Sequence, residues 1–154
     1  MKKISLLSVF AIIFTLGLFS TNYSQTEKVI GKLYSKAEAN SVYGAVKTSL
    51  KIDTEVLKHI ISRTPDKILF NIVNGNLMVL NADRSVLFSN DVAQKSVKSD
   101  VIFHMFSTSQ VAKLLELGGN NPTTTIELRD NNILTVTNGE ESLEFSSLCP
   151  PNCW

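Results

Sequence analysis

The chain contains few of the residues that most often carry catalysis or metal binding. Its 154 residues include two histidines and two cysteines, and both cysteines lie close to the C-terminus. The sequence has no G-x-S-x-G motif to present a nucleophilic serine, no D-x-D-x-D-G string to bind calcium, and no glycine-rich loop that opens a helix to cradle a phosphate. Enzymes that depend on these motifs are excluded, so an enzymatic function is the less favoured interpretation.

An excess of positive charge is also missing. Residues 1–24 carry two lysines and no acidic side chain, so without them 13 basic and 14 acidic side chains remain, a net charge of −1. Affinity for nucleic acid rests on clustered lysine and arginine side chains, and attachment to an anionic lipid surface needs a polybasic patch. We therefore expect no nucleic-acid partner, and we expect the partner to be an unidentified protein or small ligand.

A long apolar run occurs only at the start of the chain. Lys2 and Lys3 precede the run Ile4–Phe19, and a short polar stretch follows, which is the arrangement of a secretory signal peptide. The run has sixteen residues, whereas a membrane-spanning helix needs about 20. We expect a bacterial protein, secreted or periplasmic, that is cleaved after Ser20 or Ser24 and keeps no stable membrane anchor.

After the signal peptide, residues 25–154 are long enough for a single domain with its own hydrophobic core. Two parts of this domain resemble each other, at about 28–89 and 100–146. In each part a predicted strand enters a helix through an S-x-x-E/Q capping box, Ser35–Glu38 in the first and Ser107–Gln110 in the second. The likeness predicts a duplicated unit; the alternative is that hairpin sequences converge on similar residues.

The hydrophobic periodicity predicts helices that alternate with groups of strands. We expect helices at 36–50, 54–63 and 108–117, and strands near 28–34, 67–73, 76–81, 85–89, 100–106, 123–129, 132–137 and 142–146. Asn74-Gly75 predicts a two-residue hairpin turn, Gly118-Gly119 ends the last helix, and the polar run 89–100 is the linker between the two parts. The predicted fold class is α+β with two layers: antiparallel sheets with helices on one face, built from two pseudo-repeated β-α-β-β-β units.

Two of the predicted helices have an apolar face that is expected to pack against a sheet. In the first helix this face consists of Ala39, Val42, Tyr43, Val46 and Leu50. In the last helix it consists of Val111, Leu114, Leu115 and Leu117.

Neither histidine belongs to a recognisable catalytic group. His59 lies four residues after Glu55 on a predicted helix and is expected to be a surface residue. His104 shares a strand face with Ile102 and Phe106, which predicts a core or boundary residue with hydrogen-bonded nitrogens.

The tail Cys149-Pro150-Pro151-Asn152-Cys153-Trp154 (residues 149–154) carries the clearest chemistry. In an oxidising compartment two cysteines this close are expected to form a disulfide. A β-turn centred on Pro151 and Asn152 would bring Cys149 and Cys153 within bridging distance. Closing so small a loop stabilises a protein by about 2 kcal/mol, so the bridge is predicted to shape the tail.

Two other interpretations of the tail remain open. One is a redox-active or soft-metal pair, in which Cys149 and Cys153 bind Cu(I) or Zn with His104 as a further ligand. The other is a partner-binding surface formed by Pro150, Pro151 and Trp154. The C-P-x-x-C spacing resembles the copper-site motif of the Sco-type copper chaperones. That resemblance covers five residues, and its function is not carried over, because no β-α-β unit surrounds the motif here.

The sequence as a whole predicts an exported, non-enzymatic binding or accessory domain of unknown ligand that needs no cofactor. The alternative is a thiol-disulfide or Cu(I)-handling protein that acts through Cys149 and Cys153. A ligand surface is expected on the linker 89–100, on the hairpin tips or on the tail, because loops on a rigid scaffold usually carry function.

Overall fold

The computed structural model describes residues 28–91 and 101–149, which form ten strands and three helices. The strands are β1 (Lys32–Ser35), β2 (Val46–Asp53), β3 (Lys67–Val73), β4 (Asn76–Asn81), β5 (Val86–Ser89), β6 (Phe103–Ser107), β7 (Thr123–Arg129), β8 (Leu134–Asn138), β9 (Glu141–Glu144) and β10 (Ser147–Cys149). The helices are α1 (Lys36–Tyr43), α2 (Thr54–Ile61) and α3 (Thr108–Leu117). The predicted signal peptide, most of the predicted linker and tail residues 150–154 lie outside the described residues.

The strands form two antiparallel, five-stranded sheets. Sheet I has the strand order β1-β9-β8-β7-β2, and sheet II has the order β10-β6-β3-β4-β5. The fold therefore belongs to the layered α+β class that the sequence predicts. Among the described residues, no helix is both long and apolar enough to cross a bilayer.

The main hydrophobic core combines the inner faces of both sheets with α2 and α3. Helix α3 packs against β8 and β9, helix α2 packs against β2 and β7, and the two helices contact each other. Of the predicted apolar face of α3, Leu114 and Leu115 are buried in this core, whereas Leu117 is 53% exposed. Helix α1 packs instead against β1 and β9.

The first helix is shorter than the sequence predicts. It ends at Tyr43, Gly44 follows with a φ of +80°, and the chain continues as β2 where helix was expected. Strand β2 is an edge strand of sheet I, and it buries Ile52 while Val46 is 39% exposed. Thr48, Leu50 and Ile52 alternate with polar residues, so the same stretch has the period of a strand, and pairing with β7 selects it.

The predicted duplication is not confirmed. Strand β1 pairs with β9, the last hairpin strand of the second part, whereas β6 pairs with β3, the first hairpin strand of the first part. Strand β2 has no counterpart, because α3 is followed directly by β7. Each part contributes its first strand to the sheet of the other, so the two parts form one structural unit.

The two predicted capping boxes differ in outcome. At the start of α1, the Ser35 hydroxyl accepts from the Glu38 amide at 3.2 Å and Glu38 Oε2 accepts from the Ser35 amide at 3.0 Å, as predicted. At the start of α3 the box is not formed, because Ser107 Oγ accepts from the Ile30 amide at 2.8 Å. Within the described ranges, the N-terminus of α3 consequently has no side-chain cap.

Glycine fixes two of the predicted chain reversals. Asn74 and Gly75 have φ values of +51° and +79°, which gives the predicted type I′ turn between β3 and β4. After α3, Gly119 takes a φ of +62° and ends the helix. Gly118 is required for space, because a Cβ there would collide with the side chain of Asn138 on β8.

Candidate functional site

A cleft of about 440 Å³ lies between the sheets, where the β7–β8 hairpin of sheet I meets β6 and β10 of sheet II. It is lined by Asn71, Ile102, His104, Leu128, Asn131, Asn132, Ile133, Ser146 and Leu148. Apart from the histidine, none of these described lining residues carries an ionisable side chain. The cleft therefore combines neutral hydrogen-bonding groups with aliphatic ones.

The β7–β8 loop holds two amide side chains at the cleft. The Arg129 amide donates to the Ile133 carbonyl, and the Asn132 amide donates to the Arg129 carbonyl, both at 2.9 Å. Asn132 has a φ of +60°, a conformation that asparagine tolerates better than most residues. Asn131 Oδ1 accepts from the Ile133 amide at 3.2 Å. The loop is thus fixed by local bonds, while the Asn132 side chain has no hydrogen bond to another described residue.

His104 supplies the central polar group of the cleft. It is 8% exposed, and its Nδ1 lies 2.9 Å from the Ser146 hydroxyl. Burial lowers the pKa of His104 to about 4, so the imidazole is neutral at physiological pH and offers one donor and one acceptor. The prediction that His104 is a buried residue is confirmed, and His59, as expected, is exposed on α2.

Two exposed aliphatic side chains flank His104. Ile102 precedes it by two residues and is 50% exposed, and Leu148 is paired with it across the β6–β10 ladder and is 58% exposed. Residues two apart on a strand, and residues paired across strands, point to the same face of a sheet. Ile102, His104 and Leu148 consequently present one surface, part apolar and part polar, to the cleft.

The structure does not bring His104 to Cys149. The register pairs Leu148 with His104 and Cys149 with Phe103, and successive side chains point to opposite faces. Cys149 is fully buried in a second hydrophobic cluster on the outer face of sheet II. His104 therefore cannot share a metal with Cys149 in this fold, and the described residues hold no group of three metal-ligating side chains.

The predicted disulfide stays a prediction. Cys153 lies outside the described residues, as do Pro150, Pro151 and Trp154 of the predicted partner surface. These residues add no described group to the cleft.

Arg84 closes the second cluster, and nothing in the sequence pattern indicates this role. It lies in the turn between β4 and β5 with a φ of +66°. Its guanidinium donates to the carbonyls of Cys149 at 3.0 Å and Val101 at 3.3 Å, and it stands over the Phe103 ring at 5.6 Å. Because β5 and β10 are opposite edges of sheet II, Arg84 ties the hairpin of one edge to the strand at the other.

A buried charged network underlies α1 on the outer face of sheet I. The fully buried Arg129 donates to Thr135 Oγ1 at 2.9 Å, to Asn40 Oδ1 at 3.0 Å and to the Gly44 carbonyl at 2.7 Å. It also donates to Glu144 Oε1 at 3.3 Å. Burial raises the pKa of Glu144 to about 7, although the Thr135 hydroxyl and Arg129 act in the opposite direction.

Comparison of the chain with models of known protein families, with curated proteins and with solved structures finds no match. The geometry and chemistry of the cleft are therefore the basis for a function.

Proposed function

We propose that this protein is an exported, non-enzymatic binding or accessory domain whose ligand occupies the cleft between the two sheets. The observation that carries the proposal is the joint presence of neutral hydrogen-bonding groups and exposed aliphatic groups in one concave site. Binding sites in proteins usually have this composition: mostly apolar walls with a few polar groups that set orientation. Export is supported by the basic start and apolar run of residues 1–24.

The cleft chemistry favours an uncharged peptide segment as the ligand. Asparagine amides, such as those of Asn131 and Asn132, offer both a donor and an acceptor, which is what a peptide bond needs. Ile102 and Leu148 are exposed aliphatic groups that would be covered by an aliphatic side chain of the ligand. A charged ligand would lose hydration without gaining an ionic partner from the described lining residues.

Two exposed leucines allow a matched test. Leu148→Ser removes an aliphatic group from the cleft, and Leu117→Ser removes one of similar exposure from α3, outside the cleft. The probe is the uncharged peptide N-acetyl-Leu-Gly-amide, titrated into isotopically labelled protein and followed by amide chemical shifts. We expect shifts at His104 and Asn132, and binding weakened about tenfold by Leu148→Ser but unchanged by Leu117→Ser.

A charged counterpart completes the experiment. N-acetyl-Glu-Gly-amide is expected to bind more weakly than the leucine peptide, because the described part of the cleft offers no cationic side chain. Equal weakening by both serine variants, or shifts that avoid the β7–β8 loop, would show that the cleft is not the binding site.

A further inference from the structure

The first turn of α3 has backbone N–H donors for which the described residues supply no acceptor. The Ser107 and Thr108 amides donate to the carbonyls of Ile30 and Asp66, each at 2.9 Å. The amides of Ser109 and Gln110 come next, at positions where the helix itself supplies no carbonyl acceptor. No side chain of the described residues caps this helix, because Ser107 Oγ accepts from the Ile30 amide instead. Two N–H groups therefore point out of the helix start.

The buried side chain of Thr108 lies beside these donors. Thr108 is 7% exposed, and its Oγ1 is buried without a hydrogen-bond partner among the described residues. Buried hydroxyl groups in native proteins nearly always have a partner, so this hydroxyl is a donor that a ligand at the helix start can use. Thr108 lines the same groove as Ser109.

The groove runs between the end of α2 and the start of α3 and has a volume of about 510 Å³. It is lined by Lys58, Ile61, Ser62, Thr64, Pro65, Thr108, Ser109 and Ala112. Lys58 is the one cation among these described lining residues, and its ammonium lies 2.8 Å from Glu55, which is itself 79% exposed. An ion pair this exposed is weak, so the ammonium can turn towards a ligand in the groove.

We propose that this groove binds a phosphate or sulfate group at the N-terminus of α3. The positive end of the helix dipole and unpaired first-turn N–H groups form a general anion site. The Thr108 and Ser109 hydroxyls add donors, and Lys58 adds a compensating charge. The exposed carboxylates of Glu55 and Asp66 stand nearby and oppose the binding of an anion.

The oxyanion can arrive free or as part of a larger molecule. Ile61, Pro65 and Ala112 form an apolar wall next to the helix start, and the groove is larger than one phosphate group needs. Two probes distinguish the sources: inorganic phosphate carries the anion alone, and phenyl phosphate carries the same anion on an apolar ring. Tighter binding of phenyl phosphate indicates an esterified ligand, and equal binding indicates the free anion.

The experiment is a titration of the full chain with each probe, followed by backbone amide shifts, with sodium chloride at matched ionic strength as reference. We expect saturable shifts centred on the amides of Ser109 and Gln110. Thr108→Val should weaken binding about tenfold, because it removes a donor to an anion while keeping the branched shape. Thr48→Val on β2 is the matched control and should leave binding unchanged.

Ser109→Asp separates binding from folding. The new carboxylate would itself occupy the positive helix end, so we expect it to abolish the phosphate shifts and to raise the melting temperature. The proposal is overturned if phosphate produces only the shifts that chloride produces, or if Ser109→Asp binds phosphate as well as the unmodified chain does.

Discussion

Arg129 is the residue on which the attachment of α1 to sheet I depends. Its guanidinium is fully buried and binds side chains or carbonyls from α1, β8, β9 and the residue after α1. Removing one member of a buried ionic network leaves the others uncompensated, which costs about 3–5 kcal/mol. We expect Arg129→Ala to lower the free energy of unfolding by that amount in urea titrations. The exposed Arg63, substituted in the same way, should change it by less than about 0.5 kcal/mol.

The contributions of Glu144 and His104 to the free energy of unfolding should change with pH in opposite directions. The pKa of Glu144 is raised from 4.5 to about 7 by burial, so the folded state holds the proton that the unfolded state releases. The contribution of Glu144 to folding stability is therefore complete below pH 4.5 and is lost as the pH rises through 7. The pKa of His104 is lowered from 6.5 to about 4, so the unfolded state binds the extra proton, and this contribution grows from pH 4 to 6.5.

Substituting Glu144 and His104 one at a time separates their two contributions to stability. Compared with the unmodified chain, Glu144→Gln should gain relative stability as the pH rises from 4.5 to 7, by up to about 3 kcal/mol. His104→Asn should lose relative stability between pH 4 and 6.5, by a similar amount. Urea unfolding at a series of pH values measures both. Parallel curves for all three proteins would contradict the assigned pKa directions.

At the scale of elements, Arg84 joins the two edges of sheet II. Its bonds to the carbonyls of Cys149 and Val101 hold β10 against the β4–β5 turn. We expect Arg84→Ala to speed amide hydrogen exchange in β10 and to destabilise the fold by about 2–3 kcal/mol, because bonds from a charged donor are lost. Arg84→Gly is the informative companion, since glycine relieves the φ of +66° and should recover about 1 kcal/mol of that loss.

The predicted disulfide between Cys149 and Cys153 would join the end of β10 to the tail. We expect thiol titration of the native protein to detect no reactive cysteine and added Cu(I) not to bind. Cys153→Ser, which leaves the buried Cys149 in place, should lower stability by about 2 kcal/mol, the value for a small closed loop. Reactive thiols that bind Cu(I) would instead favour the thiol-disulfide or copper-handling alternative.

Elements with strong local signals are the ones that the sequence predicts well. Strands β3, β4 and β7 and helix α3 have the predicted bounds, because clear periodicity is bounded by turn residues such as Asn74-Gly75 and Gly118-Gly119. The predicted end of the first helix is wrong because residues 46–50 suit either a helix or a strand. Pairing with β7, which is far away in sequence, selects the strand. The predicted capping box at Ser107 is wrong for a similar reason, because the Ser107 hydroxyl bonds to Ile30, which is 77 residues away in sequence.

At the scale of the whole molecule, the sites depend on contacts between distant segments. The cleft joins Asn71, Ile102 and Asn132, and the Arg129 network joins Asn40 to Glu144. Local sequence patterns do not predict these long-range contacts, because the contacts depend on how strands from both parts of the chain pair. The β7–β8 loop, one of the hairpin tips expected to carry a ligand surface, lines the cleft, and ligand binding there stays a prediction.

The pairing of β1 with β9 has a consequence for how the chain acquires its structure. Lys32 sits opposite Glu144, so sheet I cannot be completed until residues 32–144 are all available. Contacts this remote in sequence slow folding, since a long loop must close before they form. If the chain is exported as proposed, sheet I can be completed only after residues 32–144 have all crossed the membrane.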